Sequence, residues 1–217
     1  MTTIPPPMFS FPLSDEAVLI LRTASITEAY HEVLAANQER LARWEPWAVK
    51  PLVLEETRSF LEASVRNWLG GSELPVAIAF RKDDQWHLAG AASLRINSYS
   101  RSGEVGYWIA SDYEGRGLIT KTVAALLDQA FGPLGIDRVT LCTDPANVRS
   151  RAVARRLGFI EEALLRQATA FPGERRDEVV YGLLADEWRK RSSGHEGRTF
   201  TSADLPPGGY VGSRGAQ

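Results

Sequence analysis

The feature of this sequence that most constrains its fold is the order in which hydrophobic periodicity changes along it. "AVLILRTA" (17–24) is a short apolar run of strand type. Ile26, Tyr30, Val33, Leu34 and Leu41 then recur at helical spacing, and Leu54, Phe60, Leu61, Val65 and Trp68 repeat the pattern before Gly70 and Gly71. "PVAIAF" (75–80) and "HLAGAASLRI" (87–96) read as strands joined by the polar turn "KDDQ", and "GEVGYWIA" (103–110) as a further strand. Ile119, Val123, Leu126, Leu127 and Ala130 mark an amphipathic helix that ends near Gly132 and Pro133. "DRVTLCT" (137–143) is a strand and "SRAVARRL" (150–157) a short helix stopped by Gly158; "EALLRQA" and "DEVVYGLL" are a closing pair of strands. The predicted order is β-α-α-β-β-β-α-β-α-β-β. It implies an α/β fold in which a mixed sheet carries helices on its faces.

The ends fall outside this pattern. Met1 to about Asp15 holds four prolines and reads as an extended arm, and 191–217, rich in Gly, Ser and Pro, reads as a flexible tail. One domain over 16–190 remains. With 44% hydrophobic residues it can bury a full core. The net charge of −2 excludes a nucleic-acid binder held by a general basic field. No apolar run approaches the roughly 18 residues that span a bilayer. The N-terminus lacks a basic segment followed by an apolar one, so no signal peptide is predicted. The single cysteine, Cys142, excludes an intramolecular disulfide framework and fits a reducing cytoplasm. A cytoplasmic protein with no nucleic-acid or membrane partner is expected.

"DYEGRGLITKT" (112–122) sets Gly115 and Gly117 between a strand and a helix. Three anion-binding readings compete, beside a plain strand-to-helix turn. The dinucleotide fingerprint needs a third glycine where Thr120 stands, and belongs near the start of a βαβ unit. The P-loop pattern fits Gly115, Lys121 and Thr122, but Thr120 again replaces a glycine, and "SDYE" intervenes after the strand. The third reading is a pyrophosphate held by main-chain N–H groups of Leu118, Ile119 and Thr120, where unpaired donors and the helix dipole both favour an anion. There Gly115 turns the chain, Gly117 lets the phosphate approach, and Arg116 adds a charge.

"GEVGYWIASDYEGRGLITKTVAALLDQAF", "RVTLCTDPANVRSRAVARRLGF" and "YGLLADEW" together resemble the GNAT superfamily of acyl-CoA N-acyltransferases, within it the RimJ/RimL type that acetylates N-termini of ribosomal proteins. The resemblance covers about 17–190 and is strongest over 103–159. It implies the GNAT fold, with a mostly antiparallel central sheet, and acetyl-CoA or a related acyl-CoA whose pyrophosphate lies on the glycine loop. The family loop usually begins with Gln or Arg where Glu114 stands, so Glu114 is expected to point away from the pyrophosphate. Ile119 matches an apolar residue common in the RimL-like branch. The resemblance also implies that Asn147 bonds the pantetheine arm and that backbone groups of Trp108, Ile109 and Ala110 pair with it like an added strand.

Acyl transfer to an amine needs a neutral nucleophile and a proton for the departing thiolate. The resemblance places the base carboxylate at Glu104, with Glu161, Glu162 and Glu178 as rivals. A tyrosine that serves many members as acid is here Ala154, and Ser150 matches the serine given that role in the RimL-like branch; it is also a candidate helix cap. Trp44 and Trp47, in "RWEPW", match an aromatic stretch that helps form the acceptor site. Arg149, Arg151, Arg155 and Arg156 are candidates for a contact to the cofactor's 3′-phosphate. Cys142 alternates with core residues on its strand and reads as inert. His31, His87 and His195 have no metal-ligand spacing, so no metal is expected. The acceptor implied is a protein N-terminal α-amine; a small amine or antibiotic, and a non-catalytic CoA-binding module, are the alternatives. A homodimer stays open.

Overall fold

The computed structural model describes residues 3–4 and 10–192. Its strands are β1 (Thr3–Ile4), β2 (Phe11–Ser14), β3 (Ala17–Leu21), β4 (Glu73–Lys82), β5 (Gln85–Asn97), β6 (Ser102–Ile109), β7 (Arg138–Thr143), β8 (Ile160–Phe171) and β9 (Glu174–Leu184). Its helices are α1 (Thr27–Leu41), α2 (Leu54–Leu69), α3 (Leu118–Phe131), α4 (Val148–Leu157) and α5 (Ala185–Ser192). The order read from periodicity is present, extended by β1 and β2 before it and α5 after it. Part of the expected N-terminal arm therefore belongs to the sheet: β1 pairs with β5 and β2 with β3. Arg191 and Ser192, assigned to the tail, finish α5. The rest of that tail, 193–217, lies outside the described residues.

The main path of the sheet is β2-β3-β4-β5-β6-β7-β9-β8. Every pairing is antiparallel except β6 with β7. β4 shows why both faces need cover. Val76, Ile78 and Phe80 enter the core cluster shared with α3, while the alternating Ala77 and Ala79 enter the one shared with α1. Small residues on the second side let Tyr30, Leu34 and Leu61 of α1 and α2 settle close against the sheet. In β5 the pairing skips one position, Ile78 facing Gly90 and Ala79 facing Leu88. Ala89 is the extra residue of this bulge, and its carbonyl accepts the Ala110 N–H at 2.8 Å.

Candidate active site

β6 and β7 pair only over Ser102–Glu104 and Arg138–Thr140. Beyond that, β6 stays with β5 as far as Ile109 and β7 stays with β9 as far as Thr143, so the sheet splits between them. Edges that separate in mid-sheet present unpaired backbone groups and admit a ligand. α3 follows β6 and α4 follows β7, and side chains join them: Arg149 in the first turn of α4 pairs with Glu114, and Arg156 in its last turn donates to Thr120 Oγ1 at 3.0 Å.

The strand register corrects part of the predicted backbone contact. The Ala110 N–H is spent on Ala89 in β5, and the Trp108 carbonyl lies against Gly90. Alternation along the strand then turns Trp108 and Ala110 toward β5, leaving Ile109, with Tyr107, facing the split. The Ile109 carbonyl accepts from Arg40. The Trp108 side chain is buried on the α1 face, where its Nε1 donates to the Tyr30 hydroxyl at 3.1 Å.

Gly115 and Gly117 have φ of 74° and 72°, and a Cβ built on either meets no heavy atom within 4 Å. Left-handed backbone selects glycine here, and the open space is a cradle that side chains would fill. Gly117 caps α3 without a side-chain hydrogen bond, and Lys121 N–H is the first to close on it, at 3.1 Å to the Gly117 carbonyl. The N–H groups of Leu118, Ile119 and Thr120 thus stand at an uncapped, electropositive helix end, which fits a pyrophosphate. Arg116, expected to add charge there, instead stacks on Phe80 with its guanidinium 5.2 Å from the ring centre, beside Glu16 and Arg81. Glu114 is met by two guanidiniums, Arg40 at 2.7 Å and Arg149.

α4 begins at Val148, not at Ser150, and Asn147 is its cap: Oδ1 accepts the Ser150 N–H at 3.1 Å. The Ser150 hydroxyl is therefore free of capping, and it lies 2.9 Å from the Tyr107 hydroxyl across the split. Burial pushes the Tyr107 phenol up to about 12; the Ser150 bond opposes this and the Glu45 charge adds to it.

The carboxylates sort by their partners. Glu161 accepts from Tyr181 and Arg151, which lower its pKa, and Arg138 lowers that of Glu162. Both are held ionised. Arg151 and Arg155 are engaged with Glu161, so Arg149 and Arg156 are the α4 arginines at the glycine loop. Glu104 pairs with Arg95 directly across from it on β5. Glu178 accepts from Thr169 Oγ1 at 3.0 Å. Alternation puts Arg95, Glu104, Cys142 and Glu178 on one face of the split sheet. The Cys142 thiol is pushed up to about 12, by burial first and then by the Glu178 and Glu104 charges.

Above that face sits "RWEPW". Trp47 is 46% exposed, and its Nε1 donates to Glu45 Oε2 at 2.8 Å. Pro46, Trp47 and Lys50 face Ala170, Phe171 and Pro172 of the β8–β9 turn across a cavity of about 500 Å³. Trp44 is half-buried and not among the lining residues. Arg176 ties the two walls, donating to the Arg43 carbonyl at 2.6 Å and stacking 3.9 Å from the Phe171 ring centre. Tyr107, Arg40 and Glu45 were not predicted as site residues. Tyr107 and Glu45 lie inside stretches read for their backbone and their aromatics, and their side chains meet Ser150 and the cleft only after folding.

A split sheet with an open glycine turn on one branch and a capped serine on the other is the architecture of an acyl-CoA-dependent transferase. The family model for the acetyltransferase (GNAT) domain matches residues 19–160, and the chain belongs to that family. It is 31% identical over 188 residues to YdaF of Bacillus subtilis (strain 168), itself named as a candidate ribosomal N-acetyltransferase, covering 83% of this chain and 98% of the relative. A crystal structure described as "Probable acetyltransferase" superposes with a TM-score of 0.77 at 31% identity, over 83% of this chain and 99% of the other. Mycobacterium smegmatis RimJ, solved with CoA-disulfide, superposes with a TM-score of 0.71 at 26% identity, over 82% and 89%. Acetyl-CoA or a related acyl-CoA is accordingly the acyl donor, and the enzyme is an N-acetyltransferase. That family membership replaces the P-loop, dinucleotide and non-catalytic readings of the glycine stretch.

Proposed function

We propose that this enzyme acetylates the N-terminal α-amine of a protein, by direct attack within the split between β6 and β7. The observation that carries the reading is the cavity of about 500 Å³ between the α1–α2 junction and the β8–β9 turn. Its walls are mostly apolar, with Trp47 and Phe171 supplying aromatic surface, and Pro46 adjoins Glu45 at the mouth of the acidic cleft. An extended peptide suits such a groove: its ammonium meets carboxylates while the following side chains bury apolar area. The name of YdaF, a candidate ribosomal N-acetyltransferase, points to a protein acceptor. An α-amine, with a pKa near 7.7–8.0, also supplies far more neutral nucleophile at pH 7 than a lysine near 10.4.

Acetyl-CoA supplies the thioester carbonyl, placed by the donors at the start of α3 and by Ile109. Glu104, Glu45 and Glu178 make the carboxylate side of the cleft, which draws the ammonium in and accepts its proton. The Ser150 hydroxyl, backed by Tyr107, delivers a proton to the sulfur as the C–S bond breaks. A coenzyme thiol with a pKa of roughly 8.5 needs only a weak donor. Cys142 takes no part, because its thiol stays neutral at any pH the enzyme meets.

A mass-spectrometric screen with acetyl-CoA and succinyl-CoA tests the acceptor. It offers peptides with free Ser, Ala or Met N-termini, lysine peptides with blocked N-termini, polyamines and aminoglycosides. Acetyl groups are expected on α-nitrogens. Acetylation of small amines alone would overturn the acceptor reading and leave the acetyltransferase intact.

A further inference from the structure

We infer that Glu45, in the turn after α1, is the general base that takes the proton from the acceptor ammonium, and that Glu104 serves to hold Arg95. This deepens the reading of the acidic cleft and rests on it. Among the described carboxylates around the split, Glu104 is joined to the guanidinium directly opposite it, and Glu178 to Thr169. Glu161 and Glu162 are spent on arginines. Glu45 has no ion pair among the described residues. Trp47 Nε1 fixes its Oε2 at 2.8 Å, and Oε1 makes no hydrogen bond among the described residues. One oxygen is thus oriented while the other stays available, which is the arrangement a base needs.

Its surroundings set both place and strength. The Glu45 charge acts on the Tyr107 phenol, whose hydroxyl bonds Ser150, so the base and the acid side of the reaction share one cleft. Arg95 of β5 is the cation that acts on Glu45, and Tyr107 of β6 the titratable hydroxyl. Arg176 of β9 is committed to the Arg43 carbonyl and to Glu174. Burial raises the Glu45 pKa above the ordinary glutamate value, with the Trp47 bond and then Arg95 opposing it. A raised carboxylate pKa lies closer to that of the amine and makes the carboxylate a better proton acceptor.

The protons balance. The ammonium gives one proton to Glu45 Oε1, and the freed lone pair forms the C–N bond at the thioester carbonyl. As the C–S bond breaks, Ser150 gives its proton to the sulfur, and the nitrogen's second proton passes through solvent to restore the Ser150 hydroxyl. One proton leaves to water in the net reaction.

The test compares Glu45→Gln and Glu104→Gln across pH 6 to 9.5, using whichever amine the acceptor screen shows the native enzyme to acetylate, so that failure of the acceptor reading is seen separately. Glutamine still accepts from Trp47 Nε1, and a melting curve with acetyl-CoA reports folding. Glu45→Gln is expected to lose on the order of 10²-fold in kcat/KM at pH 6.5–7, with the loss shrinking toward pH 9.5 where free amine is abundant. Glu104→Gln, which frees Arg95, should lower kcat/KM by a similar factor at every pH, and Glu45→Asp should restore the shape of the native profile at a lower rate. A loss in Glu45→Gln that is uniform across pH, or a profile that shifts in Glu104→Gln instead, would overturn the inference.

Discussion

Ser150 and Tyr107 hold each other through one hydrogen bond of 2.9 Å, and their chemistry follows from it. A phenol pushed up to about 12 remains protonated through the whole working range, and either hydroxyl of the pair can be the donor. Removing the serine hydroxyl should therefore slow release of the thiolate without touching the pyrophosphate cradle. Ser150→Ala is expected to lower kcat by roughly 10²-fold while acetyl-CoA still raises the melting temperature. Tyr107→Phe should lower it less, because Ser150 can exchange with water. Steady-state kinetics beside a thermal melt separates the two effects; an unchanged kcat in Ser150→Ala would remove the hydroxyl from the reaction. The sign of the Cys142 shift works the other way for a nucleophile. A thiol raised to about 12 has almost no thiolate at pH 7–8, which leaves direct transfer to the amine.

At the scale of the element, α4 carries Ser150, the proposed acid. Its first turn hangs on the Asn147 cap, and its last turn closes at Gly158 with φ 88°, where left-handed backbone favours glycine. Asn147→Ala is expected to cost about 1 kcal/mol of stability. It should also lower kcat, since Ser150 N–H loses the bond that fixes the start of the helix. Denaturant unfolding and turnover measured on the same preparation check both; a stability loss with full kcat would mean that Tyr107 alone positions the serine. The β8–β9 pair is the other element that matters, because Arg176 pins its turn to Arg43 and thereby shapes the acceptor groove.

For the whole molecule, the split sheet makes cofactor binding a stabilising event. A ligand that bridges the β6 branch, through the glycine loop, and the β7 branch, through α4, binds the folded state alone. At a hundred times its Kd, acetyl-CoA should add about 2.7 kcal/mol, or roughly 5–10 °C in melting temperature for a chain of this size. ATP with magnesium should add nothing. Gly117→Val should abolish the acetyl-CoA shift, since its backbone sits at φ 72° and its side chain would enter the open cradle. A full shift in that variant would show the pyrophosphate to lie elsewhere.

Much of this was legible before folding. Periodicity of 2 and 3.6 residues located β3 to β9 and α1 to α4, because burying one face of an element writes its period into the chain. The glycines between strand and helix declared an anion site for the same local reason: only the residue itself decides whether φ can be positive and whether space is left beside it. Side-chain partnership is not local. Even the cap three residues away was read at Ser150 where Asn147 makes it, and Tyr107 meets Ser150 only because β6 and β7 run parallel for three pairs and then part. The choice among Glu45, Glu104 and Glu178 likewise depends on which arginine each faces across the sheet. Which way each backbone group of β6 points was set by the bulge at Ala89 and by pairing with β5, which spends the Ala110 N–H that the sequence left open. The sequence by itself determined the elements and the left-handed glycine turn before α3; the tertiary structure alone decided which side chains meet Ser150 and Glu114, because those contacts depend on distances between residues that the chain keeps far apart.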